Sequence, residues 1–220
     1  VTCLFNDAQL VEVALGEQTG DGADGGAGLI AAMKPGSVLV SHTTGTLGTL
    51  ERLAKAAAAR GVHVVEAPVS GGPEEILAGR LTVLLGGDDP AAVERAAAVV
   101  AGYGSPLLRT GGLGTAMKVK LINNLLFAAH TQLAADALRL AADIGVEAGP
   151  LLDALQHCSG MSAALGRVAA AGGDIAGFGE RAAPFIRKDV VACAQTAAEL
   201  GADIGLMGRV ARTGPLPFDS

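Results

Sequence analysis

Tryptophan is absent from the 220 residues, tyrosine occurs once and phenylalanine five times. Basic residues are outnumbered: 16 Lys and Arg face 22 Asp and Glu, for a net charge of −6. There is no basic patch with aromatics interleaved, which excludes a nucleic-acid partner. Cysteine is scarce and odd in number. Cys3, Cys158 and Cys193 have neither metal-ligand spacing nor the regularity of a disulfide framework, which fits a reducing, cytoplasmic setting. No apolar run reaches the roughly 18 residues of a membrane span, and no signal peptide opens the chain. The sequence therefore points to no membrane partner.

What is present is small and apolar. Half of the residues are hydrophobic and only 17% are charged, with the bulk supplied by Ala, Val and Leu. That suffices for a substantial core, in one large domain or two small ones. Strand-like apolar runs at 1–5, 37–41, 62–66, 81–85 and 106–109 alternate with helical stretches at 8–15, 29–33, 49–60, 73–79 and 90–101. Continuous apolar strands at short spacing predict a parallel sheet covered on both faces. From residue 115 onward no strand is evident. A long helix is followed by three alanine-rich helical stretches at 149–158, 162–171 and 184–200. The expected fold class is α/β: a Rossmann-like parallel sheet domain at 1–112, then an all-α domain at 113–220, joined by the long helix. The chain opens at Val1 rather than Met, and abruptly as a strand. This reads as a fragment or a start placed downstream of the true one, so that the Rossmann-like domain is truncated.

Gly20, Gly22 and Gly25 match the G-x-G-x-x-G dinucleotide fingerprint, but the context is wrong. The stretch before them is helical rather than a strand, and Asp21 and Asp24 would repel a pyrophosphate. The segment is read as a surface loop.

The long helix carries the main functional clue. Its residues are good helix formers, with neither Pro nor Gly from 115 to 144. Apolar side chains occur nearly all round it, which predicts burial in a core or an interface. Yet its first turns hold Lys118, Lys120, Asn123 and Asn124. Lys120 and Asn124 are four apart and share a face, where an amine and an amide need partners to be buried. Thr115 is the candidate N-cap. A lysine near a helix start, if buried, has a lowered pKa and can exchange a proton with an alcohol oxygen near neutrality.

Two further stretches carry chemistry. In Val69-Ser70-Gly71-Gly72-Pro73 two glycines allow close backbone approach, and Ser70 offers a hydroxyl before a helix start, which suits a small carboxylate. Arg187-Lys188-Asp189 is a charged step in an apolar helix that could face a cofactor. His42, His63, His130 and His157 show no ligand spacing, and the cysteines read as small core residues.

Together these residues resemble the β-hydroxyacid dehydrogenase family, along essentially the whole chain and in the right order. Glu66-Ala67-Pro68-Val69-Ser70-Gly71-Gly72 looks like the family's D-A-P-V-S-G-G motif. Gly112-Leu113-Gly114 followed by Lys120-Leu121-Ile122-Asn123-Asn124 looks like its G-x-G-x-x-x-K-x-x-N-N motif, with the lysine displaced by two. Lys118 keeps the spacing to the glycines and Lys120 the spacing to the asparagines. Lys120 is taken because the chemistry needs the amide on the same face. Lys188-Asp189 looks like the family's K-D, and His42-Thr43-Thr44 resembles its loop at the nicotinamide. The resemblance implies an NAD- or NADP-dependent 3-hydroxyacid dehydrogenase. Lys120 would be its general acid/base. Ser70, Gly71, Gly72 and Asn124 would bind a small carboxylate substrate. Phe5, Asn6, Thr44 and Lys188 would bind the cofactor. It also implies a homodimer or higher homo-oligomer built on the long helix. The alternatives are an imine reductase-like relative, which Lys120 argues against, and a non-catalytic dimerisation module.

Overall fold

The computed structural model describes residues 1–17 and 26–218. The rejected glycine motif at 20–25 lies outside them. The chain divides into two compact units, Val1–Lys120 and Leu121–Ser220, with α6 (Thr115–Asp143) running across the division.

The first unit is α/β. Its elements are α1 (Asp7–Leu15), α2 (Leu29–Ala32), β1 (Val38–Ser41), α3 (Leu47–Ala58), β2 (His63–Glu66), β3 (Val69–Ser70), α4 (Pro73–Leu77), β4 (Leu81–Gly86), α5 (Pro90–Val100) and β5 (Gly104–Gly111). Side-chain caps set the helix starts. Asn6 accepts from the amide of Gln9, Thr46 from Thr49, and Asp89 from Ala91 and Ala92. The expected strand at 1–5 is reduced to a single parallel bridge, Thr2 with Ser41.

The sheet is mixed rather than parallel. β1 pairs with β2 and β4 with β5 in parallel, whereas β4 runs antiparallel to β2 and β3. Connection length explains the difference. Residues 42–62 and 87–103 are long enough for a crossover through a helix. Residues 71–80 are not, so the chain returns antiparallel to the strand it has just left. The turn expected at 67–73 therefore contains β3, which prolongs β2 beyond the Ala67-Pro68 break. Two apolar clusters cover the sheet. One joins Val40, Val65, Val83 and Leu85 to Ala92, Val93, Ala96, Ala97 and Val100 of α5, and the other joins Leu39 and Val62 to α1 and α3 through Leu10, Val11, Leu53 and Ala57.

The second unit is helical: the rest of α6, then α7 (Ala148–Leu155), α8 (Ala163–Ala170), α9 (Ile175–Glu199) and α10 (Gly205–Thr213). α9 starts well before Pro184, the residue expected to open it. Asp174 caps it by accepting from Gly177, and Pro184 sits inside the helix. Both Pro184 and Glu180, whose carbonyl a proline cannot pair, are exposed, so water can supply the missing partner. α10 was not expected; two glycines in a nine-residue helix hid it. Ala134, Leu152, Leu165 and Val168 form the core cluster, with Leu138, Leu155, Ile175 and Phe178 packed around it.

Buried Gln132 clasps the C-terminal segment. Its amide donates to the carbonyls of Ala211 at 3.0 Å and Leu216 at 2.8 Å, and its oxygen accepts from the amide of Leu216 at 2.8 Å. Gly214 leaves room for it, since a Cβ there would lie 2.5 Å from the Gln132 carboxamide. Gln132→Leu keeps the volume but strands these backbone groups. It is expected to lower stability by about 2–4 kcal/mol in urea denaturation.

Candidate functional site

In the first unit the expected site residues collect at the carboxyl ends of strands, where open α/β sheets hold their ligands. Phe5 and Asn6 follow the Thr2 bridge, and Thr43 and Thr44 follow β1, its parallel neighbour. The two loops are tied together. Thr43 Oγ1 accepts from the Leu4 amide at 3.2 Å, and Asp7 Oδ2 accepts from the amide and hydroxyl of Thr46 at 2.9 and 2.7 Å. Asn6 is engaged in capping α1, while Phe5 keeps 41% of its surface exposed.

His42 sits beside this loop but faces inward. Its Nδ1 lies 2.5 Å from the Ala67 carbonyl, which can only accept, so Nδ1 carries the proton. Nε2 then accepts from the Tyr103 hydroxyl at 2.7 Å. Burial holds the ring's pKa below its ordinary 6.5, with the bond to Ala67 partly opposing.

The 70–72 turn leaves β3 toward α4. Gly71 has φ +138°, and a Cβ there would lie 2.9 Å from Glu75 Cβ and 3.0 Å from Leu81 Cδ1, so only glycine fits. The Gly72 amide donates to Glu75 Oε2 at 2.5 Å. The turn thus already holds one carboxylate, and a substrate carboxylate on that amide would have to replace it.

Glu66, noted in the sequence only as a departure from an Asp, is fully buried. Its Oε1 accepts from the Ala116 amide and its Oε2 from the Met117 amide, each at 2.9 Å. It therefore caps α6. Thr115, the expected N-cap, is the first helical residue, and its hydroxyl donates to the Gly112 carbonyl at 2.6 Å. Burial raises the Glu66 carboxyl above its usual range, and the backbone amides pull it partly back. Met117 Sδ in turn accepts from the Gly45 amide at 3.4 Å, so the loop after β1 also reaches α6. Lys120 lies in the second turn of α6 and is partly buried, whereas Lys118 is exposed.

In the second unit Asn124 donates through Nδ2 to Asp189 Oδ2, and Asp189 Oδ1 takes Lys188 Nζ at 2.6 Å. Buried Asp189 thus orients two expected site residues at once. The signal available in the sequence was its place beside Lys188, four residues before a buried cysteine on a helix face. Arg187 is turned away, donating to the Pro217 carbonyl. Of the cysteines only Cys193 is a core residue; Cys3 and Cys158 are exposed. His63 Nδ1 lies 3.0 Å from Asp89 Oδ2.

Residues 3–117 match the family model described as the NAD binding domain of 6-phosphogluconate dehydrogenase. Residues 114–213 match that described as the NAD-binding of NADP-dependent 3-hydroxyisobutyrate dehydrogenase. L-threonate dehydrogenase of Cupriavidus necator is 35% identical over 158 residues, covering 71% of this chain and 52% of its own length. 2-(Hydroxymethyl)glutarate dehydrogenase of Eubacterium barkeri is 32% identical over 142 residues, covering 64% and 47%. The crystal structure of 3-hydroxyisobutyrate dehydrogenase from Salmonella typhimurium superposes with a TM-score of 0.75 at 25% identity, over 99% of this chain and 75% of that one. The chain spans about half the length of the curated relatives it matches. It belongs to the 3-hydroxyisobutyrate dehydrogenase-like β-hydroxyacid dehydrogenase family, whose cofactor is NAD or NADP.

The residues of the first unit fit the nicotinamide end of such a cofactor. An exposed aromatic at a strand's carboxyl end, flanked by a loop of small and hydroxyl side chains, offers a flat ring an apolar face and hydrogen bonds.

Protonating His42 would break its bond from Tyr103. Because its folded pKa is lowered, the stability it contributes is complete above the unfolded value near 6.5 and is lost as the pH falls through that value toward the folded one. Between pH 7.5 and 5.5 the stability advantage of the wild type over His42→Gln is expected to shrink, by up to about 1 kcal/mol, in denaturant midpoints taken at each pH.

Proposed function

We propose that the protein transfers a hydride between NAD or NADP and a small 3-hydroxy acid, with Lys120 as general acid/base. The observation that carries this reading is the placement of Lys120. It is a partly buried amine in the second turn of α6, whose first turn is held by a carboxylate from the strand that runs into the 70–72 turn. The substrates for which the relatives are named, L-threonate, 2-(hydroxymethyl)glutarate and 3-hydroxyisobutyrate, are carboxylates as well.

When bound, NAD(P) supplies the acceptor for the hydride leaving the carbinol carbon. On oxidation Lys120 Nζ takes the hydroxyl proton and passes it to solvent; on reduction it returns a proton to the carbonyl oxygen, so charge and atoms balance. Ser70, Gly71 and Gly72 bind the substrate carboxylate through hydroxyl and backbone N–H groups. Phe5, Asn6 and Thr44 contact the nicotinamide end. By the family resemblance Asn124 orients the substrate and Lys188 contacts the cofactor, each fixed by Asp189.

The same reading includes a homo-oligomer. On α6 the apolar residues Leu126, Leu133 and Leu140 are 41%, 53% and 53% exposed at seven-residue spacing, and Ile122 extends the stripe at 55%. A stripe of this kind matches a second helix. The cytosol suits the exposed thiols of Cys3 and Cys158, and among the described residues no helix is long and apolar enough to cross a membrane.

Steady-state assays with NAD and NADP against 3-hydroxy acids test the reaction. Lys120→Ala should lower kcat by about 10²–10⁴-fold, while Lys118→Ala leaves it within about twofold. Loss in Lys118→Ala alone would move the role to that lysine. Turnover of a cyclic imine with none of any hydroxy acid would favour the imine reductase alternative.

The interface has its own check. Leu126→Glu with Leu133→Glu should convert a dimer to monomers in sedimentation velocity, since a buried leucine contributes about 1.5–3 kcal/mol and a buried carboxylate opposes association.

A further inference from the structure

Glu66 is the largest charged side chain with no access to solvent among the described residues. A carboxylate there is tolerable only if both oxygens are satisfied. They are, by two of the amides that every helix start leaves unpaired, those of Ala116 and Met117. Nothing local competes for them, because the Thr115 hydroxyl is committed to Gly112 and Thr110. The sheet makes room for the acid. Glu66 pairs with Gly86 across β2 and β4, and a Cβ on Gly86 would lie 2.3 Å from Glu66 Oε1. Lys118 is the charged group that faces Glu66 electrostatically, and it is exposed.

The two gripped amides are three and four residues before Lys120. On a helix these are the neighbours beneath it on one face. Any roll or slide of the first turn therefore passes directly to the lysine. Glu66 also ends β2, four residues before Ser70, so one short stretch of backbone carries both the grip on α6 and the carboxylate-binding turn.

We propose that Glu66 is a positioning residue for Lys120: by holding the amides of Ala116 and Met117 it fixes the catalytic helix against the strand that leads into the substrate turn. This rests on the dehydrogenase reading, and it goes beyond that reading in assigning the buried acid a role in rate rather than in folding alone.

The test combines amide hydrogen exchange with kinetics on the full chain. Glu66→Gln keeps the shape but turns an amide NH₂ toward one of the helix N–H groups. Gly86→Ala keeps the acid but places a methyl where Oε1 sits. Both should speed exchange at Ala116 and Met117 by about tenfold or more. Both should lower kcat by about ten- to a hundredfold with KM for cofactor and hydroxy acid within about twofold, the signature of a misplaced catalytic group. Unchanged exchange overturns the inference, because the carboxylate would not be holding the helix. Faster exchange with kcat unchanged, or with KM rising in step, also overturns it and leaves Glu66 a structural cap. A wild-type chain that turns over no hydroxy acid overturns the dehydrogenase reading itself, and with it any role in rate, while the exchange rates still decide whether Glu66 holds the first turn.

Discussion

A buried carboxylate and a buried helix start are each unfavourable alone. Removing an ionised acid from water costs several kcal/mol, and a helix start leaves unpaired N–H donors. In this protein Glu66 and the first turn of α6 cancel each other's deficit, across fifty residues of sequence. The contact is charge-assisted, and the positive end of the helix dipole adds to it. It joins the sheet to the element that bears the lysine. It also explains why β4 carries glycine at residue 86, where the register places it opposite the acid.

A second tie works on the same plan. Asp7 opens α1 and reaches across to the amide and hydroxyl of Thr46 at the start of α3. A carboxylate on the first residue of α1 thus holds the start of α3 and locks the Phe5 and Thr44 loops together. Gly45 completes the fit, since a Cβ there would lie 1.6 Å from Asp7 Oδ1. The region proposed to face a nicotinamide is therefore built of loops with little freedom of their own. Fixed dipoles stabilise developing charge without reorganising during the reaction, so such rigidity favours catalysis.

The helices and strands of the first unit were legible because each is bounded by caps and breakers that act locally, as at Asp89-Pro90 and Gly61. What escaped was set by distance. The antiparallel run of β4 depends on the length of 71–80, and β3 is two residues long, too short for periodicity to reveal. Thr115 reads as the cap of α6 because a sequence shows only neighbours, whereas the group that caps the helix comes from β2. In the second unit Pro184 reads as a helix start by its local preference, but Asp174 caps the helix ten residues earlier and exposure makes the lost bond tolerable. For the site, residue types and spacing pointed to Lys120, Asn124 and the 70–72 turn. They showed Asp189 as the partner of Lys188 in sequence but not its hold on Asn124, and they did not show what Glu66 and Asp7 hold.

The long helix looked uniformly apolar because it has more than one apolar face. At 3.6 residues per turn, residues 119, 126, 133 and 140 fall within about 60° of one another. Val119, Leu126, Leu133 and Leu140 are all exposed. Ala128, Gln132 and Ala135 lie on roughly the opposite side and are buried. Lys120 falls between the two, about 100° from Val119, over the turn whose Ala116 and Met117 amides Glu66 grips. A place between the exposed and the buried side lets the amine stand partly buried, over the turn that Glu66 holds.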